Sequence, residues 1–332
     1  MQPPKKVSKR KGQLDEITRE NAKRVRKSGA CLRCRMLKMQ CDGNHPCMRC
    51  KTVKASVTIW VMPCFRGALA KIIPFRAGNS RANQEVSELP KLLWDSDDLN
   101  ARTIRIRYPF NSAVGTILEL SISVRRFKPN EGRDVLKDVW EGENGERHEP
   151  EFQPFACYND EATADLLKKY IYECDTLLEM DLTAIDNDEI SRTTIDEAIR
   201  FASIHPNSCV RQAQQIRRIA YFCTKSMTIV GDETLGGVTL NDSKLPTHGQ
   251  IPVPSVLDFQ LDTIAITIMF NLLKKVEEGL KKKFNSKTSK EHWYEIYLVC
   301  FLLLSTLERV TQFQLSYLSL FEDKKDEDML RW

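Results

Sequence analysis

Six of the eleven cysteines lie between residues 31 and 64, in a segment that is also rich in Lys and Arg. They are Cys31, Cys34, Cys41, Cys47, Cys50 and Cys64. Two pairs have the Cys-x2-Cys spacing that lets two thiolates bind one metal ion from a single turn, and one further cysteine follows each pair. Two separate zinc sites would need eight ligands, so six sulfurs hold two ions only if two sulfurs are shared by both.

The cysteines are predicted to be reduced and metal-binding. The chain starts with MQPPKKVSKRKGQ, which is basic and lacks the apolar stretch of a secretion signal. We therefore expect a reducing compartment, where structural disulfides are uncommon and cysteine clusters usually bind metal. A thioredoxin-like redox pair would need an adjoining βαβ pattern, which the sequence lacks.

Charge is distributed unevenly along the chain. Residues 1–64 carry 16 Lys and Arg against 4 Asp and Glu, a net charge of +12, whereas residues 65–332 carry 34 against 41, a net charge of −7. A strongly basic segment attracts a polyanion. Nucleic acid is the leading candidate, because no apolar face or lipidation signal favours a membrane surface.

The cysteine segment resembles the DNA-binding module of the fungal binuclear zinc cluster transcription factors. The motif CxRCRxxKxxCD runs from Cys31 to Asp42, and PCxRC runs from Pro46 to Cys50. The resemblance implies two zinc ions per chain, with Cys31 and Cys47 bridging both. By the same resemblance Cys34 and Cys41 complete one site, Cys50 and Cys64 complete the other, and each Cys-x2-Cys pair begins a short helix. The final gap, 13 residues, is longer than is usual in the family.

The resemblance also implies which residues contact DNA. It places the end of the first helix in the major groove, with Lys38 where the family has a base-reading lysine. Arg35 lies beside the phosphates, and Arg33 is a further candidate contact. A lysine donor suits the O6 and N7 acceptors of guanine, in keeping with the family's preference for CGG-like triplets.

A second basic cluster precedes the cysteines. Its members are Lys23, Arg24, Arg26 and Lys27. Together with the basic residues between 5 and 11, this spacing suits DNA phosphates or nuclear import. We expect this cluster to contact DNA, from a polar arm that is disordered or weakly helical.

Composition and periodicity divide the chain into five predicted parts. They are a basic disordered arm at 1–28, the zinc cluster at 29–66, a linker at 67–100, a small β-containing segment at 101–158 and a helical regulatory domain at 159–332. Apolar residues at 118, 120, 122 and 124 alternate with polar ones, which is the period of a half-buried strand. The predicted fold is a small zinc-stabilised two-helix cluster followed by a mostly α-helical domain with a small β element.

Beyond residue 160 apolar residues recur with a helical period. Thr194 and Glu197 have the spacing of a capping box, which predicts a helix that begins there and stops at Pro206. Two long helices are predicted at about 255–284 and 289–321. The apolar run IYLVCFLLLSTL at 296–307 is too short to cross a bilayer and predicts a buried helix.

Taken together, the residues and the resemblance predict a nuclear transcription regulator that binds double-stranded DNA and is not an enzyme. The sequence has no Gly-rich phosphate loop, His-x-x-x-His pair or Ser-His-Asp signature that would indicate catalysis. The transcription machinery and a second copy of the chain are further candidate partners, and no membrane partner is expected.

Two other interpretations stay open. In one, the cysteines build a zinc-dependent protein-interaction module of the cross-brace type, which needs eight ligands and for which His45 is the only nearby histidine. In the other, the helical domain is a small-molecule receptor and the cluster gives only weak attachment to DNA.

Overall fold

The computed structural model describes residues 15–52, 64, 66, 91–111, 118–130, 134, 136–137, 140–141, 147–185, 188–243, 245, 247–285 and 289–318. The chain divides into two compact units, Met1–Ile72 and Ile73–Trp332. Each unit has an apolar cluster of its own. The predicted arm before residue 15 and the predicted linker from 67 to 90 lie outside the described residues.

The described part of the first unit contains three short helices. They are α1, Glu16–Ser28; α2, Leu32–Met36; and α3, Met48–Lys51. Helices α2 and α3 begin directly after Cys31 and Cys47. Among the described residues the first unit therefore has α1 in addition to the two helices that follow Cys31 and Cys47, and α1 occupies part of the segment for which a disordered or weakly helical arm was predicted.

Helix α1 forms because its ends carry the residues that stabilise helix termini. The Asp15 carboxylate accepts a hydrogen bond from the Thr18 N–H at 2.8 Å, which caps the first turn. Glu16 lies in the first turn and Lys27 in the last turn, where their charges interact favourably with the helix dipole and stabilise the helix. Gly29 follows with a φ of 75° and ends the helix. These signals could have predicted α1, but the high charge of the segment masked them.

The described part of the second unit contains eight strands of two to nine residues. They are β1, Leu93–Trp94; β2, Arg102–Arg107; β3, Leu120–Lys128; β4, Trp140–Glu141; β5, Arg147–His148; β6, Phe155–Cys157; β7, Thr228–Val230; and β8, Ile251–Pro252. The main sheet has the order β1-β3-β2-β7-β8, with β6 also paired to β3, and every pairing is antiparallel. Strands β4 and β5 form a separate ribbon.

The alternating pattern in β3 is confirmed. Leu120, Ile122 and Val124 are buried, whereas Ser121 and Ser123 are exposed. The sheet is nevertheless larger than the predicted segment at 101–158, because β1 comes from the predicted linker and β7 and β8 come from the predicted helical domain. Strands of two or three residues carry too few positions to show a period of two, so the sequence does not reveal them.

Six helices of 11 to 31 residues lie in the described part of the second unit. They are α4, Asp160–Glu173; α5, Asp175–Ile185; α6, Glu189–Ile204; α7, Cys209–Phe222; α8, Ser255–Asn285; and α9, Trp293–Leu318, which follows a 3-10 turn at Ser289–His292. Helix α7 is central: eleven of its fourteen residues are buried, and it packs against α5, α6, α8 and α9. The two predicted long helices are confirmed as α8 and α9.

The predicted capping box is wrong. Helix α6 begins earlier, where Asp188 accepts a hydrogen bond from the Ser191 N–H at 2.7 Å. Thr194 lies inside the helix, and its hydroxyl donates to the Ile190 carbonyl at 2.8 Å. An aspartate at the earlier position provides an equally good cap, so the helix starts there. Its end at Ile204, two residues before Pro206, agrees with the prediction.

Two helices have the length and hydropathy of a membrane span, Ser255–Lys283 and Trp293–Phe313. Core helices of globular proteins meet the same criteria, and 67% of the most apolar part of the first is buried inside the protein, against 28% for the second. The prediction that 296–307 is buried holds for only one face of α9. Leu298 and Leu302 are buried there, whereas Leu304 is 67% exposed.

Candidate metal centre

The six cysteine side chains of the first unit are buried together, with at most 7% of any of them exposed. Their sulfur atoms form two groups of four, and within each group all sulfurs lie within 4.8 Å of one another. One group is Cys31, Cys34, Cys41 and Cys47, and the other is Cys31, Cys47, Cys50 and Cys64. Two sulfurs therefore belong to both groups, those of Cys31 and Cys47.

The sulfur spacing fits tetrahedral zinc. The Sγ of Cys31 lies 3.7 Å from that of Cys50 and 3.9 Å from that of Cys47, and the Sγ atoms of Cys34 and Cys47 are 3.7 Å apart. A tetrahedron with a Zn–S bond of about 2.3 Å has edges of about 3.8 Å. All three distances exceed the S–S bond of a disulfide, about 2.05 Å, so these cysteines are free thiols.

The starts of α2 and α3 position four of the sulfurs. In each Cys-x2-Cys pair the first cysteine precedes the helix and the second lies in its first turn, so both side chains reach the same side. The backbone N–H of Cys47 also donates to the Sγ of Cys64 at 3.1 Å. This bond brings Cys64, the last cysteine of the cluster, to the start of α3.

The loop between α2 and α3 is held by Asp42. Its carboxylate accepts hydrogen bonds from the N–H groups of Asn44, at 2.9 Å, and Met48, at 3.0 Å. Burial acts to raise the pKa of this carboxyl, but these two bonds outweigh it and lower the pKa. Gly43 has a φ of 81°, and a Cβ atom there would lie 2.5 Å from the Cβ of Arg24. Helix α1 therefore packs directly against this loop and belongs to the same module.

The thiols differ in their readiness to ionise. Burial acts to raise the pKa of Cys31, but hydrogen bonds from the backbone of Cys34 and from neighbouring thiols outweigh it and lower the pKa to about 7. Burial, reinforced by Cys31, raises the pKa of Cys34 to about 12, and burial also raises the pKa of Cys47 and Cys50. A metal that binds Cys34, Cys47 and Cys50 as thiolates therefore displaces their protons.

Five of the seven predicted DNA-contacting residues have exposed side chains. They are Lys23, Arg26, Lys27, Arg35 and Lys38. Arg26 and Lys27 lie three and four positions after Lys23 on α1, which places all three on one side of the helix. Lys38 lies just beyond α2 and has a φ of 52°, in the left-handed region.

The other two predicted DNA-contacting residues are directed into the module. The Nε of Arg24 donates to the Asp42 carbonyl at 3.1 Å, and its Nη1 lies 3.5 Å from the Glu20 carboxylate. The Nη1 of Arg33 donates to the Arg49 carbonyl at 2.9 Å. Tertiary contacts decide where an arginine side chain points, and nothing in the local sequence indicates that direction.

One residue that lies against the sulfurs, Arg66, was not predicted from the sequence. The Nη1 of Arg66 donates to the Gly29 carbonyl at 2.6 Å, and its Nη2 donates to the Asn44 carbonyl. The same Nη2 lies 3.4 Å from the Sγ of Cys41 and 4.0 Å from that of Cys64. Arg66 follows Cys64, the last cysteine of the cluster, by two positions and lies outside both recognised motifs, so spacing alone does not identify it.

The cross-brace alternative gains no support from His45. This side chain is exposed, and neither group of four sulfurs includes it. The described residues around the sulfurs therefore offer six thiol ligands rather than the eight that two separate zinc sites need.

Comparison with known families identifies both units. The description "Fungal Zn(2)-Cys(6) binuclear cluster domain" belongs to a family model that matches residues 29–60, a range that includes five of the six cysteines. A second model, described as "KpeA transcription factor", matches residues 106–329. No solved structure gives a significant match.

Two curated relatives are similar to almost the whole chain. The satratoxin biosynthesis SC3 cluster transcription factor SAT20 of Stachybotrys chartarum is 26% identical over 324 residues, which is 97% of this chain and 44% of that protein. The transcription factor kpeA of Aspergillus oryzae is 26% identical over 331 residues, or 94% of this chain and 42% of that protein. The chain thus spans less than half the length of these relatives.

Proposed function

The chain belongs to the KpeA transcription factor family and carries a fungal Zn(2)-Cys(6) cluster domain, and from this premise we propose that it is a nuclear regulator of transcription that reads DNA sequence. The family and the relatives are transcription factors, which are not enzymes. In this proposal the first unit binds double-stranded DNA, and the second unit is the regulatory domain.

The observation that carries the proposal is the sharing of Cys31 and Cys47 between the two groups of four sulfurs. Two tetrahedral zinc ions need only six thiolates when two of them bridge. Cys34 and Cys41 would complete one ion's ligands, and Cys50 and Cys64 the other's. When bound, zinc supplies the order that this unit otherwise lacks, because among the described residues its buried cluster consists of the six cysteines, with Val25, Ala30 and Met39 packed against them.

The proposed DNA surface combines one base-reading residue with several phosphate contacts. Lys38 lies at the end of α2, and Arg35 is exposed on the same helix. An ammonium group there can donate to the guanine acceptors of a CGG-like triplet, which supports sequence discrimination. Exposed Lys23, Arg26 and Lys27 on α1 would add affinity that is independent of sequence.

The proposal is tested by counting metal ions and measuring DNA discrimination on the same zinc-loaded chain. Native mass spectrometry should give two zinc ions per chain and one after Cys64→Ser. Fluorescence anisotropy should show tighter binding to a CGG-containing duplex than to a scrambled duplex of the same composition. A single ion in the unsubstituted chain, or equal affinity for the two duplexes while both ions are bound, would contradict the proposal.

A further inference from the structure

The proposed metal cluster carries an excess of negative charge. Six thiolates contribute six negative charges and two zinc ions contribute four positive ones, so the buried cluster retains two negative charges. Burying uncompensated charge is unfavourable, and protein cations placed beside the charge relieve the cost. Two guanidinium groups lie within 4.0 Å of the sulfurs among the residues that the structure describes, those of Arg33 and Arg66.

Arg66 contacts one sulfur that belongs to each group alone. Its Nη2 lies 3.4 Å from Cys41, which is found only in the first group, and 4.0 Å from Cys64, which is found only in the second. Its bonds to the carbonyls of Gly29 and Asn44 fix the guanidinium in that place. One side chain therefore connects the two half-sites without being a ligand of either.

Arg33 occupies a related position at Cys50. Its Nη1 lies 3.9 Å from the Cys50 sulfur and is fixed by its bond to the Arg49 carbonyl. The Nε atoms of Arg33 and Arg66 are both buried without a hydrogen-bond acceptor among the described residues. A buried, unpaired donor destabilises a cation unless negative charge lies nearby, and the thiolates provide that charge.

We propose that Arg66 and Arg33 are positioning residues that neutralise the two excess negative charges of the cluster and slow the loss of zinc, with Arg66 coupling the two half-sites. The inference rests on the proposed function, because it requires two zinc ions on six thiolates. Arg66 lies outside residues 29–60, the range that the zinc cluster family model matches. Charged groups that hydrogen-bond to metal ligands commonly change metal affinity by about 10- to 100-fold.

The test compares zinc release from the full chain and its variants. Each zinc-loaded protein is mixed with an excess of a chromogenic chelator, and the rate of transfer is followed by absorbance. Arg66→Gln and Arg33→Gln should each release zinc about tenfold faster than the unsubstituted chain. Arg66→Lys, which keeps the charge but not the two-pronged geometry, should fall between Arg66→Gln and the unsubstituted chain. Arg49→Gln is the matched control, since its side chain is exposed and the removed charge comes from the same module.

A spectroscopic measurement separates charge compensation from simple loosening of the loop. In the cobalt-substituted chain, a guanidinium beside a thiolate lowers the energy of the sulfur electrons, so its removal should shift the sulfur-to-cobalt charge-transfer band to longer wavelength. We expect this shift in Arg66→Gln and not in Arg49→Gln. An unshifted band, or equal release rates for Arg66→Lys and Arg66→Gln, would overturn the inference. An unsubstituted chain that binds fewer than two ions would instead overturn the proposed function.

Discussion

The backbone N–H of Met39 donates to the carbonyl of Cys34 at 2.8 Å. This hydrogen bond closes a turn that contains Lys38, whose side chain is proposed to read DNA. The N–H of Lys38 donates to the Arg35 carbonyl at 3.3 Å, and the two bonds together form a Schellman motif at the end of α2. The left-handed position in this motif usually holds glycine and here holds Lys38, with a φ of 52°. A lysine at a position that favours glycine costs backbone stability, so a role of its side chain in DNA binding, as proposed, would account for its presence there.

Replacing Lys38 with glycine or alanine separates the side chain from the backbone. Both variants should lose about 1–3 kcal/mol of discrimination between CGG-containing and scrambled duplexes, because both remove the ammonium group. Lys38→Gly should leave the module about 1 kcal/mol more stable than Lys38→Ala, because glycine adopts positive φ without strain. Competition anisotropy and thermal unfolding of the zinc-loaded chain measure the two effects. Equal losses on both duplexes would exclude Lys38 as the base reader.

The basic side of α1 should control the salt dependence of DNA binding. The double variant Lys23→Gln/Lys27→Gln should lower the slope of log K against log salt by about 0.9 for each lost phosphate contact, whatever the duplex sequence. Arg24→Gln is the matched control on the same helix, because Arg24 is half-buried and bonds to the Asp42 carbonyl. Arg24→Gln should leave the slope unchanged, and a slope reduced as much as in the double variant would show that Arg24 also contacts phosphate.

Removal of zinc should unfold the first unit and leave the second unit folded. The buried cluster of the first unit is made of the metal-binding cysteines, whereas the core of the second combines its sheet and helices. Structural zinc contributes about 10–16 kcal/mol in isolated zinc modules. Hydrogen exchange with and without a strong chelator should show lost protection in α1, α2 and α3 and unchanged protection in β3 and α7. Helix α1 is included because a 13-residue helix is marginal in isolation. Retained protection in α1–α3 without metal would contradict the metal-dependent fold.

The two faces of α9 should respond differently to truncation. Leu302→Ala removes a fully buried side chain and should lower the free energy of unfolding of the second unit by about 2–5 kcal/mol. Leu304→Ala, two residues further on the same helix, removes a side chain that is 67% exposed and should change that free energy by no more than about 0.5 kcal/mol. Denaturant titration of both variants measures the difference. Similar losses in the two variants would mean that Leu304 is covered in solution.

The sequence predicts the sulfur cluster better than its surroundings. The two Cys-x2-Cys spacings indicate a metal cluster, and the resemblance to the binuclear zinc cluster family implies that Cys31 and Cys47 belong to both half-sites. The structure brings the six sulfurs together in that grouping. The contacts of Arg24, Arg33 and Arg66 could not be anticipated. A long flexible side chain can point to solvent or to the protein with similar local cost, and only the assembled loop decides between them.

For the fold too, the sequence predicts some elements and does not predict others. Long periodic segments such as β3, α8 and α9 are evident from their patterns, because many residues contribute to each. Strands β7 and β8 are too short for a pattern. Strand β7 forms by pairing with the edge of β2, and β8 forms by pairing with β7. The helix cap at Asp188 was missed because Thr194 and Glu197 matched the capping pattern equally well.

Strand β2 pairs with β7 through Arg107 and Thr228, which are 121 positions apart, and α4 to α7 lie between the two strands in the chain. During translation β2 therefore leaves the ribosome long before its neighbour has been synthesised. For that whole interval one edge of β2 has unpaired N–H and C=O groups that can pair with other nascent chains. Synthesis of α4 to α7 is therefore the interval during which this edge of β2 is open to such pairing.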